Sequence, residues 1–127
     1  MLKIDPIHSD KRGQILSLTG EELIPYDEIT IFKTNARYAR GGCIHNSSKE
    51  HICVLKGIIK FYTEVNSEIK EITLSTGQSY TIDKQTPHYF VSLTDSVVME
   101  WGPGIEEKKE KNEAFRKVVE AINLSNI

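Results

Sequence analysis

Four side chains that could hold a metal ion or move a proton fall in two places: Cys43, His45 and Glu50 are close together, and His88 stands far along the chain. Cys43 and His45 are two apart, so on a strand they face the same way. Asn46-Ser47-Ser48-Lys49 reads as a hairpin loop that returns Glu50 to the neighbourhood of His45. A thiol, two imidazoles and a carboxylate meeting in one hollow make a metal donor set, suited to Zn or Fe rather than Mg. A neutral imidazole with pKa near ~6.5 serves equally as a general base. Each residue also has a plainer role. Cys43 could be a small buried hydrophobe, Glu50 a hairpin-end surface carboxylate, and either histidine a hydrogen-bonded structural group. Cys53 and His51 alternate out of phase with Glu50, Ile52 and Val54, so they point away from such a hollow and no Cys43–Cys53 bridge is expected.

Strands must do the positioning. The chain holds 16 Ile, 9 Thr and 7 Val against four Ala, a ratio that favours pleated sheet over helix. Period-2 runs recur at Glu28–Thr34, His51–Leu55, Ile58–Val65, Lys70–Leu74, Tyr80–Asp83, Tyr89–Leu93 and Val97–Trp101. Turn residues separate them at Gly41-Gly42, Gly57, Asn66-Ser67, Thr76-Gly77, Thr86-Pro87 and Thr94-Asp95-Ser96. Many short strands so spaced indicate an all-β sandwich or barrel. After Gly102-Pro103-Gly104 the pattern changes. Phe115, Val118, Val119 and Ile122 make one helical stripe, Asn112 can cap it, and Glu113 and Lys117 form a favourable i, i+4 pair. The spacing predicts a helix over about 106–123, docked on the barrel or on a second subunit.

At 127 residues the chain fits one domain: an N-terminal arm over 1–27, a barrel core over about 29–102 and the C-terminal helix. A net charge of −2 argues against a nucleic-acid or anionic-membrane partner. No apolar run approaches the ~18 residues of a membrane span, and the first residues have no signal-peptide core. Two cysteines are too few for a disulfide framework, so a reduced, cytoplasmic setting is expected.

The same residues resemble a known family. Cys43-Ile44-His45, four residues, Glu50, six residues and Gly57 are similar to the second half of the first cupin motif, G-x5-H-x-H-x(3,4)-E-x6-G, with Cys43 in place of its first histidine. Gly77 and His88 keep the register of the second, G-x5-P-x-G-x2-H-x3-N, where Asp83, Gln85 and Ser92 replace Pro, Gly and Asn. The resemblance implies a small cupin barrel (a double-stranded β-helix, or jelly roll) with an added C-terminal helix. Within the cupins, Asp10-Lys11-Arg12-Gly13 resembles the D-x-R-G opening of sugar-nucleotide isomerases and epimerases. Arg40-Gly41-Gly42-Cys43-Ile44-His45 resembles the R-G-x-H-x-H strand of dTDP-4-keto-6-deoxyglucose ketoisomerases.

That narrower likeness implies a metal-independent isomerase or epimerase of a keto-sugar nucleotide. His45 would be the general base, and His88 or a tyrosine would return the proton. Arg40 would hold the diphosphate, and Tyr80, Tyr89 and Trp101 would line the barrel mouth and stack on the ligand. A second expectation is a metal-dependent oxygenase or isomerase with one Zn or Fe on Cys43, His45, Glu50 and His88. A third is a cupin that binds a small molecule without turning it over. The expected partners are a small-molecule ligand and a second copy of the chain, with Gln14–Leu18 supplying the shared strand.

Overall fold

The computed structural model describes residues 2–23, 28–45, 48–102 and 109–126. Among them the strands are β1 (Lys3–Asp10), β2 (Gly13–Thr19), β3 (Glu28–Thr34), β4 (Ala39–His45), β5 (Glu50–Lys56), β6 (Ile58–Val65), β7 (Glu68–Ser75), β8 (Ser79–Ile82), β9 (His88–Ser92), β10 (Ser96–Trp101) and β11 (Lys109–Lys111). One helix follows, α1 (Glu113–Leu124). The strands form two antiparallel sheets, in the orders β1-β2-β3-β10-β5-β8 and β11-β4-β9-β6-β7. This is an all-β jelly-roll sandwich with a C-terminal helix.

The period-2 pattern works because each central strand has one face toward the space between the sheets. Ile52, Val54, Ile59, Phe61, Leu74, Ile82, Phe90 and Val98 fill that space. At ~1.5–3 kcal/mol for each large side chain buried, this cluster is the main source of cohesion. The connections are tight. Asn66 and Ser67 both take positive φ, 52° and 63°, as a two-residue primed hairpin turn requires. Gly57, the motif glycine, has φ +97°, and a Cβ there would meet the Asp95 carbonyl oxygen at 2.5 Å.

The helix packs outside. Phe115 and Val119 bury against Ala39 and Tyr89, on the outer face of β4 and β9. Asn112 caps the helix by accepting from Phe115 N at 2.9 Å. Near the other end, Asn123 accepts from Ala39 N at 2.7 Å and donates to Ala39 O at 3.0 Å.

Two sequence expectations change here. The helix starts at Glu113, not near 106: residues 109–111 form β11, paired with Cys43–His45 of β4. The charged run there reads as helix on composition, but an open edge of β4 takes it as a strand. Residues 106–108, like 46 and 47 of the loop before Glu50, lie outside the described residues. Second, Gln14–Leu18 is an inner strand, bonded to β1 on one side and β3 on the other, so it has no free edge to share. The edge is β1, whose Pro6 lacks the donor that a central strand needs and whose ladder shifts register between Pro6 and His8.

Candidate metal and ligand site

Three strands bring the chemistry together. His45 ends β4, Glu50 starts β5 across the intervening loop, and His88 starts β9, paired with Cys43. One ligand atom from each of His45, Glu50 and His88 lies within 4.8 Å of the other two. His45 Nε2 contacts Glu50 Oε2 directly, and His88 Nε2 stands 3.4 Å from Glu50 Oε1. The two imidazoles lie nearly parallel, at 14° with centroids 6.0 Å apart. Glu50 is 3% exposed and His88 is 7% exposed. The two histidines matched by motif spacing thus share one hollow with Glu50.

The donor set fits a divalent ion. Ligands at ~2.1 Å in a tetrahedral arrangement sit roughly 3.4 Å apart, the separation found between His88 Nε2 and Glu50 Oε1. His88 Nδ1 is 3.0 Å from the Thr86 carbonyl oxygen. A carbonyl only accepts, so Nδ1 carries a proton and Nε2 is the nitrogen turned to Glu50, with its lone pair open to a metal when the ring is neutral. Glu50 Oε1 is buried and faces His88 Nε2 across 3.4 Å, a gap that a cation held by both would fill.

Without an ion the site holds a proton instead. Burial, then the Glu100 carboxylate beside it, raises Glu50 to about 8, against the lowering effect of His88. Burial works to lower His88, but its hydrogen bond and charge interaction with Glu50, and then Glu100, outweigh that and raise it. Both shifts keep a proton in the Glu50–His88 pair near neutral pH.

Residues from both sheets line a cavity of about 220 Å3 beside His88. Phe32, Ile52, Phe61 and Phe90 give it apolar walls, and Arg40, Cys43, His88 and Glu100 supply polar groups. Simple alternation would put Arg40 on the face opposite Cys43. The β4–β9 register shifts between Gly41 and Cys43, and the extra residue returns Arg40 to the interior opposite Phe90. Arg40 is 2% exposed. Burial, then the charge of Arg12, lowers it to about 10, still protonated at neutral pH. Arg12 and Arg116 border this cavity and also a wider groove of about 620 Å3 between the β1–β2 turn and α1.

The other expected residues are placed as follows. Cys43 lines the cavity but is outside the three-residue cluster. Tyr80 packs on Phe61 in the core, with ring centroids 5.5 Å apart. Tyr89 touches the cavity but is mostly a packing residue, stacked on Tyr62 and edge-on to Phe115. Trp101 does not line the cavity. It faces the opposite way from Glu100 and stacks on His51 at 5.5 Å, because successive strand residues alternate faces. Glu100 is the residue the sequence reading passed over. Its signal was present: it is two from Val98, which is fully buried, so a carboxylate stood on the inward face of a readable strand.

No family profile and no curated protein matches the chain, but solved structures do. CapF of Staphylococcus aureus, a capsular polysaccharide assembling protein, is 17% identical with a TM-score of 0.67, over 83% of this chain and 29% of that one. Bacillus subtilis oxalate decarboxylase, described with Mn(II) centres, is 12% identical with a TM-score of 0.72, over 84% and 29%. Vicilin of tomato, Solanum lycopersicum, is 18% identical with a TM-score of 0.69, over 84% and 31%. The chain spans under a third of each of these three. The likenesses establish a cupin fold; they carry nothing of the chemistry.

Proposed function

We propose that this cupin-fold chain is a metal-dependent enzyme acting on a small molecule inside the barrel, with His45, Glu50 and His88 as the protein ligands. The observation that carries the reading is the convergence of two imidazole nitrogens and one buried carboxylate from three different strands within 4.8 Å. Three protein ligands would leave positions on the ion for water or substrate, the arrangement of a catalytic rather than a structural site. The ion would supply Lewis acidity toward a ligand oxygen. Zn or Fe suits the set of two imidazoles and a carboxylate, and the Mn(II) centres of the oxalate decarboxylase make manganese a third candidate.

The chain's own residues have separate tasks. The Thr86 carbonyl fixes the His88 tautomer. Glu50 supplies the negative charge, and Glu100 beside it can hold or pass a proton. The phenylalanines keep the cavity apolar, which strengthens each electrostatic contact within it. The test is elemental analysis of the purified protein. About one equivalent of Fe, Zn or Mn, lost in the His45→Ala/His88→Ala double variant, supports the reading. A metal content that the double variant retains overturns it.

A keto-sugar nucleotide isomerase with His45 as base is the second reading, and one observation favours it. The Asp10-Lys11-Arg12-Gly13 turn lies beside the cavity, and Arg12 and Arg116 join that cavity to the wider groove, where a diphosphate and base could lie. Calorimetric titration with dTDP decides: no binding at millimolar concentration removes it. Ligand capture without product would leave the non-catalytic cupin. A second copy of the chain remains the proposed partner, now through the exposed β1 edge, where Ile4 is 60% exposed. A scattering mass of one subunit would count against it.

A further inference from the structure

We infer that the barrel interior is a binding site for a short-chain organic monocarboxylate, held by the guanidinium of Arg40. The inference assigns a ligand class to the same cavity as the proposed metal enzyme, but it does not require the ion.

Among the described residues, Arg40 is a buried cation with no ion-pair partner. Its Nε donates to Thr34 Oγ1 at 2.7 Å and its Nη2 to the Lys33 carbonyl at 3.2 Å, both neutral acceptors. Its Nη1 is buried with no hydrogen-bond partner. Asp10 is the carboxylate that acts on it, but Asp10 is already paired with Arg12 through Nε and Nη2 at 3.0 and 2.7 Å. Arg12 itself adds repulsion. A buried charge in this state is costly unless something compensates it, and Arg40 lines a cavity in which a ligand could do so.

The cavity narrows the choice of anion. Its walls include Ile15, Phe32, Ile52, Phe61 and Phe90, which favour a hydrocarbon body. The Phe32 ring lies under the guanidinium, 5.7 Å from its carbon, and helps to fix the plane of the fork. A planar guanidinium matches a planar carboxylate. The volume of about 220 Å3 falls below the ~300–1,000 Å3 of pockets for drug-sized ligands, which suits a small acid rather than a nucleotide. Of the three arginines that line the cavity, Arg40 is the buried one, Arg12 is paired with Asp10, and Arg116 lies at the border with the outer groove and donates to the Gly41 carbonyl oxygen at 3.3 Å. Glu100 lines the same space with Glu50 close by, so a dianion such as phosphate would meet carboxylates already in place. Glu50 and Glu100 lie near the ion site, so the far end of the acid would be directed toward His88.

The test uses the chelator-stripped, 15N-labelled 127-residue chain titrated separately with butyrate, butyramide and inorganic phosphate. The Arg40 Nε–H resonance is the readout, identified by its absence in Arg40→Lys. Butyrate is expected to shift that resonance and to bind about tenfold or more tightly than butyramide, since a charge-assisted bond replaces a neutral one. Phosphate is expected to bind more weakly than butyrate. Arg40→Lys should keep part of the preference and Arg40→Gln should lose it. If Arg40→Gln does not fold, the contrast between butyrate and butyramide in the wild-type protein is sufficient. Equal binding of the two, tighter binding of phosphate, or no saturation by butyrate in the millimolar range overturns the inference. Butyrate binding in a protein that takes up no metal would leave this inference standing and remove the metal reading. Metal uptake with equal binding of butyrate and butyramide would do the reverse.

Discussion

Replacing Glu50, a proposed metal ligand, should stabilise the metal-free protein at alkaline pH. Burial and Glu100 raise this carboxyl from 4.5 to about 8. In the unfolded chain it ionises freely, so between pH 5 and pH 8 the unfolded state has given up a proton that the folded state keeps. Stability therefore falls with rising pH across that window. His88 is raised as well, through its hydrogen bond and charge interaction with Glu50, so its contribution belongs to the same shared proton and is lost in the same direction as pH rises. A shift of this size in a group 3% exposed is worth on the order of 4 kcal/mol. With a urea slope of ~1–3 kcal/mol per molar, that moves the midpoint down by roughly 2 M. Glu50→Gln keeps the volume and removes the charge, so it should abolish at least half of the pH slope and exceed wild type in stability at pH 8. The assay is equilibrium urea unfolding in excess chelator at unit steps from pH 5 to pH 8. Asp10 does not interfere. Hydrogen bonding to Arg12 holds it low, so its contribution is present above its ordinary value of 3.8 and is lost only in more acid solution. A wild-type midpoint that is flat with pH, or one whose slope Glu50→Gln leaves unchanged, would refute the reasoning.

Three other outcomes are expected. Metal uptake at pH 7 should release about one proton from the Glu50–His88 pair, read by calorimetry in buffers of different ionisation enthalpy; release of none would contradict the shared proton. Phe115→Ala should cost about 3–5 kcal/mol in chemical unfolding, since the side chain is 3% exposed and anchors α1 on β4 and β9; a loss under about 1 kcal/mol would mean that the helix is not held there. Trp101→Phe should leave ligand and metal affinity within about twofold of wild type, because the ring lies against His51 on the outer face; a larger loss would return it to the cavity.

Where alternation was strong the sequence was nearly sufficient. Ile58–Val65 was predicted with the bounds it has in the structure, and Glu28–Thr34 likewise. Motif spacing paired His45 with His88 across the barrel because a fixed number of residues between turns fixes the strand faces. Other features were hidden for identifiable reasons. The β1–β2 hairpin was read as an arm because β1 is exposed on both faces and so carries no hydrophobic period. The strand at 109–111 looked helical because its pairing with β4 is a tertiary choice that local charge pattern does not record. Arg40 was expected to bind ligand, but its route inward depends on a bulge at Gly41-Gly42 that reverses simple alternation. Gln85 occupies a motif glycine's place at φ 61°, so the backbone keeps a glycine-type conformation without the glycine.

Central to the proposed function is one ion held by His45, Glu50 and His88. Anomalous diffraction from crystals of the protein as purified, collected on either side of the absorption edge of the metal found by analysis, tests this directly. A single peak ~2.0–2.3 Å from an atom of each of the three residues is the predicted result. A peak bound elsewhere on the chain, or no peak between these side chains in crystals soaked with Zn or Fe, would contradict it.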